Sequence, residues 1–554
     1  MGWQDRLNAA LPERGSRWLL LGAVLAHLLL AAVLSLSPDE AHYAVYGSRP
    51  DWSYFDHPPL VGWVQWPGAM LGGSDLLMRI VPMVCWLLTA WGVLHLTGLL
   101  YAHTPLTAAF DKHTPLAAAF DKQRSDGGRL SGWMPGPERA GMAGMAGMAG
   151  VALALLVLSP VPNLLGMALV PDSLLTPLTC AAMILTWRLC DAGESRRLGL
   201  WLALGVCLGL AGLAKYTAVL LALGCALALV RAHGLRVLRR PALWGAVLVA
   251  LLAVVPVLGW NAAHDWISFR YQLGHAAGSS QWRGYRVAVY LVVQVLGFGV
   301  LILAGLLAAR RDPASTLRQA ATRISPLGFV ACFGLPPLLL YTVLSGRGTT
   351  LPHWSTPAWI ALIPVAAAGV LRLWQSRRRL VKTLVGLQAV ICAAMVVLLL
   401  AGGVGRETEP QASSLPGQMR DRAPVNPVAD LYGWEAAAQR AKSLAQANRL
   451  DTLAVINWTL ASRIAWYARP SPVKVINRHR DQFDLWFGTM TPGESVLLID
   501  WSPMTFAPPV GQSKFEQCDL LEQMPARHLG RQIAHFNFLH CRNWQGAAEP
   551  LPGR

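Results

Sequence analysis

From residue 18 to residue 402 the chain returns again and again to apolar stretches of helix length, and this recurrence limits its folds more than any other feature. Hydrophobic residues make up 54% of the 554 and charged residues 14%, more apolar sequence in such blocks than a water-soluble core can hide. A backbone in hydrocarbon must satisfy its own amides, and runs of this length do so as helices. Eleven spans are expected, at 18–36, 76–101, 141–158, 164–187, 198–213, 216–230, 242–259, 287–309, 327–344, 357–373 and 380–402. The first is not a cleaved signal, because it lacks a small-residue cleavage site and further spans follow it. The expected fold is an α-helical polytopic membrane protein, with a transmembrane domain over 1–402 and a small α/β soluble domain over 403–554.

Cations set the orientation. Arg188, Arg196 and Arg197, then Arg231, Arg236, Arg239 and Arg240, then Arg310, Arg311, Arg318 and Arg323, then Arg372, Arg377, Arg378, Arg379 and Lys382 fall in alternate loops, which are therefore cytoplasmic. The other loops carry only scattered cations, so the N-terminus is expected inside, and the loop over 37–75 and the tail outside. The net charge of +17 is thus mainly topological, and its dispersal over many loops argues against a nucleic-acid partner. A cytoplasmic linker at 102–140 holds a near-perfect tandem decapeptide, 103–112 and 113–122, which reads as a tolerated duplication because two copies cannot build a solenoid. Gly-Met-Ala triplets from 141 to 149 open the third span with small residues suited to close helix packing.

Past residue 402 the composition becomes mixed. Residues 433–448 and 458–468 have helical composition, while 452–457, 473–477 and 495–500 read as buried strands, and the alternation favours a partly parallel sheet. Seven of nine cysteines lie in or beside apolar spans, where they pack as small apolar side chains. Cys518 and Cys541 alone lie in the tail, and a disulfide between them is expected in an oxidising compartment.

The chemistry-bearing residues gather in the outer loops. Asp39-Glu40 stands where the first span leaves the bilayer, and Tyr54-Phe55-Asp56-His57-Pro58-Pro59 follows. A carboxylate solvated on one side has a raised pKa and can take a proton from a hydroxyl near neutral pH. Lys215 lies where two apolar runs meet on the outer side; it reads as a clamp for an anion or as a side chain snorkelling to water. Arg270, Arg347 and His353, with Arg283 and Arg286, are further outer cations. Asp172, just before an apolar run, reads equally as a helix N-cap or as a member of the acidic cluster. Asp56, His57 and His264 offer oxygen and nitrogen ligands to a divalent metal, although no spacing such as His-Glu-x-x-His defines a site. His27 and His95, inside spans, are expected to be packed neutral imidazoles.

Ser37-Pro-Asp-Glu-Ala-His-Tyr43 followed by Asp51-Trp-Ser-Tyr-Phe-Asp-His-Pro-Pro-Leu60 resembles the first outer loop of family 39 glycosyltransferases of the GT-C membrane fold. That group includes protein O-mannosyltransferases and lipid A aminoarabinose transferases. The similarity continues through Val170-Pro-Asp-Ser-Leu174, 209–217, 259–270 and Pro352-His-Trp-Ser-Thr-Pro357, and reaches Arg480-Asp-Gln-Phe-Asp-Leu-Trp486 in the tail. The resemblance implies transfer of a sugar from a polyprenyl-phosphate carrier to an acceptor hydroxyl, with inversion, at the outer face of a bacterial inner membrane. The acceptor class stays open among lipid A, another envelope glycan and protein Ser/Thr. A lipid phosphate is already a good leaving group, so the site needs a base and phosphate-binding cations more than an acid. Asp39 matches the base, with Glu40 assisting or orienting; Lys215 matches a phosphate clamp. Asp56 matches an acidic position after a Tyr-Phe pair in the aminoarabinose transferases, whereas His57 replaces the Lys that follows there. The chain has no glycine-rich nucleotide loop, which fits a lipid-linked donor. A polytopic transporter or flippase is the alternative, and it would concentrate acids near the middle of the spans.

Overall fold

The computed structural model describes residues 14–101, 136–277, 281–310, 324–348, 350–403, 426–476, 480–504 and 508–546. The tandem decapeptide and most of the linker behind it lie outside the described residues. The membrane part is built from α1 (Arg14–Val33), α2 (Pro38–Ser48), α3 (Leu60–Met70), α4 (Asp75–Met78), α5 (Ile80–Tyr101), α6 (Gly136–Val157), α7 (Pro160–Leu165) and α8 (Pro171–Cys190). It continues with α9 (Leu198–Ala214), α10 (Ala218–His233), α11 (Pro241–Ala263), α12 (Ile267–Ala277), α13 (Gly284–Phe298), α14 (Val300–Ala309), α15 (Pro326–Ser345) and α16 (Thr356–Leu400). Many outward side chains are large and apolar, such as Leu248, Leu251, Leu252 and Val255 on α11, as expected of helices facing lipid.

Seven helices among the described residues are long and apolar enough to cross a bilayer, or eight if α13 and α14, bent by 92°, count as one span. Each of the eleven expected runs falls on a helix, although not each is a separate long one. The apolar segments 147–157 and α9 are short. The expected spans at 357–373 and 380–402 are the two halves of α16, separated by a kink at Arg377, where the backbone leaves helical geometry. The span expected from 164 starts instead at Pro171, because 160–165 turns off as a separate short helix. Small residues bring the helices together: a Cβ on Gly205 of α9 would lie 2.5 Å from the Ala246 carbonyl oxygen of α11, and one on Gly369 of α16 would lie 1.8 Å from that of Gly305 on α14.

The tail folds as α17 (Trp434–Ala447), β1 (Leu453–Val455), α18 (Trp458–Tyr467), β2 (Val473–Val475), α19 (Gln482–Phe487), β3 (Val496–Trp501), β4 (Phe515–His528) and β5 (Arg531–Trp544). The sheet runs β2-β1-β3-β5-β4, with β2, β1 and β3 parallel and β3-β5-β4 antiparallel. The parallel half follows from the strand and helix alternation in the sequence. The β4–β5 hairpin was not expected, since its turn is Leu529-Gly530, both at positive φ, and leucine is a weak turn signal there. Cys518 and Cys541 are paired across this hairpin and joined as a disulfide.

The tail is docked on the membrane part by apolar packing and by buried polar contacts. One core joins Leu30, Leu34 and Leu36 to Trp434, Ile464 and Trp466. The Tyr467 hydroxyl accepts from the Leu36 amide at 2.8 Å and donates to Asp75 at 2.7 Å. The Leu431 carbonyl accepts from the Ser35 amide at 3.1 Å.

Candidate active site under the outer domain

Helix α2 starts with a capping box. The Ser37 hydroxyl accepts from the Glu40 amide at 3.4 Å, the Glu40 carboxylate accepts from the Ser37 amide at 3.0 Å, and Pro38 occupies the first turn. Glu40 then turns inward. Arg79 grips it with Nε to Oε1 at 2.7 Å and Nη2 to Oε2 at 3.0 Å, both side chains being almost fully buried. The same guanidinium donates to the carbonyls of Ala31, Leu34 and Ser35, which follow or end α1 and would otherwise lack partners. Glu40 therefore orients its neighbour by anchoring the helix, and its carboxylate is fully engaged.

Asp39 has the opposite environment. Among the described residues no hydrogen bond or ion pair holds its carboxylate. Burial pushes its pKa up to about 6, with the His42 ring opposing and Asp56 and Glu40 adding to the rise.

Asp56 is brought alongside by the loop between α2 and α3. Tyr54 is fully buried and stacks on Tyr46 with ring centroids 3.6 Å apart, and its hydroxyl reaches the Tyr46 and Arg49 carbonyls at 3.1 and 3.2 Å. Tyr54 thus shapes the loop. Three outside contacts clamp it: the Phe55 amide donates to Gln482 of α19 at 2.7 Å, Ser268 of α12 donates to the Tyr54 carbonyl at 2.8 Å, and Gln272 donates to that of Asp56 at 2.6 Å. The Asp56 carboxylate accepts from the Tyr46 hydroxyl and lies 3.7 Å from His42 and 3.8 Å from His57. Burial raises its pKa, but His57, His42 and Tyr46 outweigh burial and hold it well below the usual range. Burial drives His57 down to about 4 against the pull of Asp56. The site so holds one permanent carboxylate, Asp56, and one that titrates close to neutrality, Asp39.

The third group is a buried ion pair. Lys215 ends α9 in extended geometry, and its Nζ donates to both oxygens of Asp172 at 2.8 and 2.6 Å. His353 Nε2 lies 3.6 Å from the same carboxylate. For each of Asp172 and Lys215, one of the alternatives left open by the sequence falls away. Asp172 is not an N-cap, since it is the second residue of α8 and Val170 holds the cap position. Lys215 does not snorkel, since it is 7% exposed and paired. The charge of Lys215 reaches His57, so the pair lies beside the Asp56 loop. Arg270 and Arg347 are exposed and lie outside this buried group.

Asp56 and His264, named as candidate metal ligands, each have other contacts. The His264 Nδ1 is 2.8 Å from the Trp260 carbonyl and its ring stacks on Trp260 at 3.9 Å, while Asp56 is enclosed by Tyr46, His42 and His57. Among the described residues no group of three or more His, Cys, Asp or Glu side chains is disposed to hold a metal. Sequence reasoning overlooked Arg79 as the partner of Glu40, and His42 and Tyr46 as partners of Asp56. The His42 and Tyr46 spacing of four on a helix was the available signal.

Residues 144–260, which include both Asp172 and Lys215, match the family described as dolichyl-phosphate-mannose-protein mannosyltransferase. The fold is shared with ArnT from Cupriavidus metallidurans in the apo state, at 16% identity and TM-score 0.59 over 94% of this chain and 97% of that one. The same protein bound to undecaprenyl phosphate matches at 15% identity and TM-score 0.60, with the same coverage. No protein of curated function matches. The family segment and the shared fold agree on one class, a membrane glycosyltransferase of the GT-C fold with a lipid-linked donor.

Proposed function

We propose that this protein moves a sugar from a polyprenyl-phosphate carrier to an acceptor hydroxyl at the outer face of the membrane, with inversion at the anomeric carbon. The observation that carries this reading is the unpartnered Asp39, with a pKa near 6, close to a permanently charged Asp56 whose loop in turn adjoins the Lys215–Asp172 pair. Asp39 takes the acceptor proton as the hydroxyl attacks. The leaving phosphate needs cations. An ammonium has three donors and Lys215 spends two on Asp172, so one remains for a phosphate oxygen, with His353 beside the same pair as a further donor and the exposed Arg270 and Arg347 lying outside it. The ArnT structure with undecaprenyl phosphate supports such a carrier. Acids in the described spans lie at their ends, as Asp75 and Asp172 do, which speaks against the transporter alternative.

The test is binding of undecaprenyl phosphate by the full protein in nanodiscs. Lys215→Ala should weaken that binding roughly ten-fold or more, the scale of one charge-assisted contact. No binding by the wild type would remove the donor assignment, and equal binding by the variant would remove Lys215 from the phosphate contact.

A further inference from the structure

His42 lies at the seam between α2, the catalytic loop and the outer domain. It is 3% exposed, with Ser462 of α18 and Tyr46 both fully buried beside it. Its Nδ1 is 3.1 Å from the Ser462 hydroxyl and its Nε2 is 3.1 Å from the Tyr46 hydroxyl.

The protons of these two hydroxyls are already placed. Ser462 donates to the Trp458 carbonyl at 2.7 Å, a shorter contact than the one it makes with His42. Tyr46 donates to the Asp56 carboxylate, which as an ionised group can only accept. A hydroxyl has one proton, so both oxygens are left as acceptors towards the imidazole. A neutral imidazole has one N–H and would face one of them with a bare lone pair. Two acceptors are satisfied only by an imidazolium, whose two nitrogens both donate.

We propose that the outer domain, through Ser462, holds His42 as a buried imidazolium, and that this charge keeps Asp39 in its ionised form at working pH. His42 is a positioning residue in this scheme, acting on the proposed base through its field. Its surroundings are consistent with a cation. Asp39, Tyr43 and Tyr46 face it from α2, Asp56 and His57 from the loop, and Ser462 and Trp458 from α18; α19 contributes only the rings of Phe483 and Trp486. Those two carboxylates outnumber His57, which burial keeps neutral, and the guanidinium of Arg463 on α18, whose charge also reaches Asp39, is paired with Asp430. The consequence is that transfer depends on the tail being docked. Without the Ser462 acceptor, the Nδ1–H is a buried donor with nothing to receive it, and the proton is lost.

The proposal rests on Asp39 being the base, but its test separates the two. Nitrogen NMR of the full protein with labelled histidine, in nanodiscs at neutral pH, reads the protonation of His42 directly, the signal being assigned by its loss in His42→Gln. Both ring nitrogens should be protonated in the wild type, and Ser462→Ala should convert the ring to the neutral form. In the pH dependence of transfer, Ser462→Ala and His42→Gln should move the acidic limb to higher pH by about one unit, the scale of removing one nearby opposite charge, whereas Ser462→Thr should keep the wild-type limb. A singly protonated His42 in the wild type would overturn the proposal even if no variant folded. So would an unmoved limb in Ser462→Ala. An imidazolium signal together with normal transfer by Asp39→Asn would leave the charged His42 standing and remove the base assignment instead.

Discussion

At the scale of single residues, two neighbours in sequence divide the work. Glu40 spends its charge on Arg79, and Asp39 keeps its own free because the capping box has already fixed the turn that carries it. Asp39→Asn keeps shape and loses the basic oxygen, so turnover should fall about 100-fold or more while donor binding survives; near-normal transfer would dismiss Asp39 as base. The pH dependence follows from the same carboxyl. Its raised pKa means that the active, ionised form is lost as pH falls, so kcat/KM should rise through about pH 6 and level off above it. A rate flat between about pH 5 and about pH 8, a range that brackets the titration of a single such carboxyl, would contradict that. Asp39, Asp56 and Lys215 were legible because they are charges placed at the ends of apolar runs. The pairing of Lys215 with Asp172 was not, because it joins the ends of two helices whose proximity is decided by packing.

At the scale of elements, the anchor of α2 and the tail hairpin make separate claims. Arg79 ties α1, α2 and α5 together through one guanidinium, and both charges are buried. Arg79→Met leaves the Glu40 carboxylate uncompensated, and should lower stability by about 3–5 kcal/mol, read as an earlier thermal unfolding in detergent. An unchanged transition would mean that the docking of the tail alone holds α2. In the hairpin, the disulfide between Cys518 and Cys541 should contribute about 3 kcal/mol to the outer domain. Alkylation of denatured, unreduced protein followed by peptide mapping should label the seven other cysteines and neither of these two. The parallel strands were legible as short apolar runs separated by a helix. The long hairpin was not, since many β4 side chains are exposed and polar and the turn carries a leucine.

At the scale of the whole molecule, the C-terminal domain forms one wall of the candidate site, with α18 packed on α2 and Gln482 of α19 holding the loop that carries Asp56. The sequence showed a tail of mixed composition and a motif at 480–486 without showing that the two parts share a site, because such docking depends on surface fit between segments far apart in the chain. Breaks inside the apolar runs were less legible than the runs themselves: composition marks 287–309 as one stretch, whereas the bend at Gly299 divides it into two helices at 92°. The proposed orientation predicts that reporter fusions at residue 311 and after residue 405 report opposite sides of the membrane; two cytoplasmic signals would place the site on the wrong face. The most direct test of transfer is mass spectrometry of envelope lipids, glycans and proteins from cells that lack this protein and from cells that make either the wild type or Asp39→Asn. The wild type alone should add the mass of one sugar to one acceptor class, and an addition by both forms, or by neither, would contradict the account.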